Sequence, residues 1–106
     1  MAYTYQVKFK IKEEQREQLR IGANLEKIIG YLRTLLPGEP GFISVRGMHS
    51  MNIPGPTRVV VQSTWDLWED LLLHQKSGLA EQKVLVEFGP HIAFEDLVMQ
   101  IYKEVS

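Results

Sequence analysis

His74, Trp65 and Arg46 are the side chains whose types and placement suggest chemistry, with Tyr5 and Trp68 able to line a pocket beside them. His74 falls one turn before the end of a predicted helix, where the negative end of the backbone dipole favours the protonated ring. In that place it can act on a ligand, or simply bond a helix-end carbonyl and support Ser77. Trp65 and Trp68 offer large flat surfaces to a planar aromatic molecule, yet tryptophans at a strand end or on a helix's apolar side also serve as core. The fixed donor fork of Arg46 can orient an anionic or phenolate group, or form an ion pair at an interface.

Other groups combine less well. Met48, His49, Ser50 and Met51 include soft and imidazole ligands, but neighbours on an extended strand point to opposite faces and do not converge. His49, His74 and His91 have no local metal-ligand spacing, so no metal site is expected. Glycine-rich phosphate loops, nucleophile elbows and paired-carboxylate motifs are missing too. Glu13, Glu14, Glu69 and Asp70 read as charges at helix starts.

The elements that must position these residues follow from periodicity. Tyr3, Tyr5, Val7, Phe9 and Ile11 alternate with polar residues, which predicts a half-buried strand. Glu13 and Glu14 are expected to open a helix whose apolar stripe runs through Ile21, Leu25, Ile28, Ile29, Leu32, Leu35 and Leu36. Proline and glycine between 37 and 41 end it. A second strand is expected from Phe42 to His49, with Ile43 and Val45 on one face and Phe42 and Met48 on the other. The turn-forming stretch from Asn52 to Pro56 predicts a protruding hairpin arm leading to a third strand, Arg58 to Trp65.

Asp66 and Glu69 have the spacing of a capping box that starts a second helix. That helix turns Trp68, Leu71, Leu72 and Gln75 to one side and stops at Ser77-Gly78, with Gly78 left-handed. A short helix, Ala80 to Phe88, precedes Gly89-Pro90, and Phe94 to Val105 alternates as a last strand.

The order β, α, β, β, α, short α, β permits an α+β domain of ferredoxin-like βαββαβ type, with a four-stranded antiparallel sheet and both main helices on one face. The other face is left bare, and patches of this size usually mark an interaction surface. Two copies stacked about a two-fold axis would cover it, so a homodimer through the sheet face is expected.

The chain has 106 residues, net charge −1 and no cysteine. One domain, 1–106, is expected at this length. Disulfides, thiolate catalysis and cysteine-based metal sites are excluded, and a cytoplasmic location is allowed. Lys8, Lys10 and Lys12 read as scattered charges, so neither a basic patch nor a nucleic-acid partner is expected. No apolar run approaches a bilayer span and no secretion signal opens the chain, so no membrane partner is expected.

The segment Val59 to Trp68, followed by His74-Gln75-Lys76-Ser77, resembles the antibiotic-biosynthesis-monooxygenase-like family of dimeric α/β-barrel proteins. Its features are an apolar strand with an aromatic end, a helix, and a His-x-x-Ser element. The resemblance implies a cofactor-independent monooxygenase acting on a small aromatic or quinol-type substrate, with His74, Trp65 and Arg46 catalytic and Tyr5 and Trp68 against the substrate. No cofactor is implied in that case. The same fold also implies an alternative, a non-catalytic ligand-binding or assembly module. Haem degradation is implied less well: relatives that perform it carry asparagine on the first strand, where this chain has Gln6.

Overall fold

In the computed structural model, which describes residues 1–51 and 54–105, the alternating N-terminal residues form β1 (Tyr3–Ile11). Tyr5, Val7, Phe9 and Ile11 are buried on one face. The chain continues through α1 (Ile21–Leu35), β2 (Phe42–His49), β3 (Thr57–Trp65), α2 (Trp68–Ser77), α3 (Leu79–Phe88) and β4 (Val98–Lys103). All pairings are antiparallel, in the spatial order β2-β3-β1-β4. This is the ferredoxin-like α+β arrangement expected from element order. The helices cover one sheet face, α1 lying against β2 and α3, and α2 against β1 and β3.

Several local expectations are corrected. Glu13–Gln15 form only a 3-10 turn, and α1 begins at Ile21 after Arg20 adopts a left-handed conformation (φ 45°). That conformation interrupts the helical path, so the acidic pair sits outside α1. In β2 a register shift between Phe42 and Ser44 moves Phe42 to the helix side. There its ring packs edge-on against Trp65 at 5.6 Å, while Ile43 is left exposed. One extra residue in a strand flips the side chains before it, which simple alternation cannot show.

The expected Asp66-Glu69 capping box does not form. Asp66 donates its amide to the Gly41 carbonyl (2.8 Å), prolonging the β2-β3 pairing, and Leu67 becomes the N-cap with no side-chain bond. The last strand begins at Val98, because Phe94–Asp96 form a 3-10 turn. Asn52 and Ile53, at the expected hairpin tip, lie outside the described residues. Among the described residues no helix is long and apolar enough to cross a membrane.

At Gly47 the backbone of β2 passes close beneath α1. A Cβ there would meet Leu25 Cγ and Cδ1 and Ile29 Cγ1 at 2.9 Å. Both neighbours are buried and have little room to retreat. Gly47→Ala is therefore expected to destabilise the fold by about 1–3 kcal/mol through overpacking. Urea denaturation measures this directly; an unchanged midpoint would show that α1 lifts freely from the sheet.

Candidate functional site

The site is built where α2 crosses the β3 end of the sheet. Along α2 the residues Trp68, Leu71 and His74 recur at three-residue steps and so share one side. Leu71 and His74 are fully covered, whereas Trp68 is 41% exposed and packs edge-on against Tyr3 at 5.6 Å. Trp65, the last residue of β3, lies directly beneath His74. The two rings stack with centroids 5.0 Å apart and planes inclined by 28°. From β1, Tyr5 presents its ring to His74 edge-on at 5.6 Å. His74, Trp65 and Tyr5 thus form one aromatic cluster, with Trp68 one contact further out.

The polar atoms of this cluster are largely committed. Trp65 donates Nε1–H to Ser63 Oγ (2.9 Å) on the same face of β3. The Tyr5 hydroxyl donates to the buried Glu81 carboxylate. Glu81 stands in the first turn of α3, where the positive end of the helix dipole favours a carboxylate. Burial raises the Tyr5 pKa, with the Glu81 bond and charge adding to it, so Tyr5 remains a protonated donor. A hydroxyl held this way is not free to donate to a substrate.

His74 itself makes no side-chain hydrogen bond among the described residues; the contact at this turn comes from Ser77, whose Oγ–H donates to the His74 carbonyl (2.6 Å). The helix dipole was expected to protonate the ring. Burial wins instead and lowers its pKa to about 4, so the imidazole is neutral at physiological pH. The helix-end effect is worth at most about 2 kcal/mol and does not offset removal of the charge from water.

Beside the imidazole is a cavity of about 60 Å³, walled by Leu36, Trp65, Leu73 and Leu79. Glu39 and Asp70 stand at its lining as well. It has room for a few waters or the reacting edge of a ring, and is smaller than the ~300–1,000 Å³ of ordinary ligand pockets.

Arg46 does not join this cluster. It pairs in register with Gln62, on the sheet face away from the helices, and Gln6 lies in the same row, donating Nε2–H to Gln62 Oε1 at 2.8 Å. Strand parity separates both from His74. Glu81 and Ser63 were missed from sequence. Ser63 had a signal, since it shares strand parity with Trp65; Glu81 had none, because a carboxylate in a first helical turn is normally solvated. Among the described residues no group of three or more His, Asp or Glu gathers as a metal site.

No family model matches the sequence, and no curated protein matches it. Solved structures do. A Bacillus cereus protein that carries the antibiotic biosynthesis monooxygenase name is 18% identical, with a TM-score of 0.64 over 100% of this chain and 93% of that one. A variant of SnoaB, a cofactor-independent oxygenase from Streptomyces nogalater, is 8% identical with a TM-score of 0.63, covering 99% and 94% of the two chains. A Bacteroides fragilis protein described as dimeric and ferredoxin-like is 12% identical with a TM-score of 0.66, covering 97% and 96%. At these identities the likeness is one of architecture, and it extends over nearly the whole of each chain. The chain has the ferredoxin-like fold of the antibiotic-biosynthesis-monooxygenase-like proteins.

Proposed function

We propose that the protein is a cofactor-independent monooxygenase-like enzyme whose small aromatic substrate presents a phenolic or quinol-type edge to His74. The observation that carries this reading is a neutral, buried imidazole with uncommitted ring nitrogens, stacked on Trp65 and opening on a cavity. The substrate body lies outside the small cavity, against Leu73 and Leu79. Glu39 and Asp70 at the lining disfavour a substrate that is already anionic.

In this mechanism His74 accepts a proton from the substrate. Its low basicity toward water is offset by the ion pair formed with the new substrate anion in a dry cleft. For an anthrone-type ring CH₂ the anion gives one electron to dioxygen, and the resulting radical and superoxide combine in a C–O bond. The remaining C–H bond then breaks, its electron pair forming the C=O as the O–O bond cleaves. The distal oxygen leaves as water with that proton and the one held by His74. The balance is one CH₂ and one O₂ to one C=O and one H₂O.

Two copies pairing through the bare sheet face complete the proposed assembly, in keeping with the dimeric ferredoxin-like neighbour. A second reading, a non-catalytic binding module, is favoured by the small size of the cavity. An oxygen electrode with a panel of anthrones and quinols separates the two. Oxygen uptake is expected, with an acid limb near pH 4, and His74→Ala should reduce it by about 100-fold or more. Absence of uptake across the panel, or uptake unchanged in a folded His74→Ala protein, selects the binding module.

A further inference from the structure

Two carboxylates stand at the lining of the His74 cavity, and nothing in the proposed proton transfer uses them. Asp70, Leu73, His74 and Ser77 recur along α2 at steps of three and four, so they form one stripe of the helix, and all four line the cavity. The segment that leads into β2 contributes Glu39 and Pro40. Gly41 fixes where the Asp70 carboxylate lies. A Cβ at Gly41 would collide with Asp70 Oδ2, so the carboxylate rests against the backbone where α2 meets the entry to β2.

Neither acid is answered by a cation. Among the described residues the ion pairs are Arg16-Glu13 and Lys83-Glu87, and neither Asp70 nor Glu39 makes a side-chain hydrogen bond. The cavity lining holds no lysine or arginine among the described residues. The first turn of α2 favours an acid at position 70 whatever it faces. That effect does not call for Glu39, which precedes β2.

A second observation is independent of the acids. His74 is 6% exposed, lines the same cavity, and has no hydrogen-bond partner on its ring among the described residues. Buried polar groups are normally satisfied, so this one waits for a partner that a ligand would bring. The site thus asks for a hydroxyl at the imidazole and a cation at the carboxylates.

We propose that the ligand of this cavity is an aromatic amine: a phenol or quinol ring carrying a protonated amino group, with the ring hydroxyl at His74 and the ammonium held by Asp70 and Glu39. His74 and Asp70 are four residues apart on one helix face, which sets their Cβ atoms about 5–6 Å from each other. A single benzene ring bearing the two groups is long enough to reach both. Two carboxylates at one small cavity favour a cation there and oppose an anion. The inference rests on reading this cavity as the ligand site, which the oxygenase and the binding module share, and not on the oxygen chemistry. The cavity is on the helix side of the sheet, so a second copy seated on the bare face leaves it open.

The test is calorimetric titration of the intact protein, near neutral pH and at about 50 mM salt, with three phenols of one ring size. These are the cationic 4-(aminomethyl)phenol, the neutral 4-(hydroxymethyl)phenol and the anionic 4-hydroxybenzoate. The amine is expected to bind about ten-fold or more tightly than the alcohol, and the benzoate more weakly than either. Asp70→Asn keeps the shape without the charge and is expected to remove most of that preference, and Glu39→Gln a part of it. Circular dichroism checks that both variants are folded. In the wild-type protein, independent of any variant, backbone amide shifts caused by the amine are expected to cluster at 39–41 and 70–77. Equal affinity for amine and alcohol, a preference unchanged in both folded variants, no binding of the amine at millimolar concentration, or shifts centred elsewhere would each overturn the proposal. The oxygen electrode keeps the two inferences apart. A preference for the amine without oxygen uptake removes the oxygenase and supports the amine site, whereas uptake from neutral quinols with no preference for the amine overturns the amine site and leaves the oxygenase.

Discussion

Replacing Trp65 by alanine is expected to destabilise the protein by about 3–5 kcal/mol, the range for deleting a fully buried large aromatic side chain. Only 1% of Trp65 is exposed, and it meets three partners at once. Phe42 packs on its edge, His74 stacks on its face, and Ser63 accepts its indole N–H at 2.9 Å. The variant would leave a void between sheet and α2 and strand the buried Ser63 hydroxyl without its donor. Trp65→Phe retains most of the apolar contact but not the hydrogen bond, so its cost should fall between those of alanine and the native residue. Urea denaturation followed by far-ultraviolet circular dichroism orders the three proteins. If alanine cost less than about 1 kcal/mol, Trp65 could not be the pillar of this layer.

The second large effect is a loss of stability in mild acid. His74 has an ordinary pKa of 6.5 when unfolded and about 4 when buried. Above pH 6.5 both states carry a neutral ring, and the contribution to stability is intact. Between pH 6.5 and 4 the unfolded chain binds a proton that the folded one refuses, so stability falls with pH. Below pH 4 the ring is protonated in both states and the loss levels off. The full difference corresponds to about 3 kcal/mol. His74→Phe keeps an aromatic ring on Trp65 and removes the titration. Its unfolding free energy should therefore decline less than the native protein's between pH 7 and 4.5, and parallel curves would show that His74 is not buried as a neutral group.

Much of this architecture was legible because β1 and α1 carry strong apolar periodicities and β3 is rich in β-branched residues. Tyr5, Val7, Phe9 and Ile11 announce their common face, and Gly78 was correctly placed at a left-handed stop (φ 65°). Where two local rules competed, the reading failed. Asp66 looks like an N-cap, but its amide is drawn into the β2-β3 pairing, which the capping pattern cannot register. Phe42 lies before a bulge, and its face changes with one residue of register. At the site, Trp65 and His74 come together because a strand end and a helix face converge. Arg46 could have been separated from them only by knowing which residue of β3 it faces. The sign of His74's response to burial was likewise illegible, since the helix end and desolvation act in opposite directions and only packing decides between them.

Gly78 is at once the last cap of α2 and the first of α3. With a single residue shared between two helices, the angular phase of one is locked to the other. His74 and Glu81 therefore reach Trp65 and Tyr5 respectively only at the present spacing. One inserted residue at this joint would rotate the Glu81 side chain by about 100° relative to α2, away from the tyrosine. The joint behaves as a ruler: chains of this fold that differ in length between these two helices must have abandoned the buried tyrosine-carboxylate pair or moved its acid to another position.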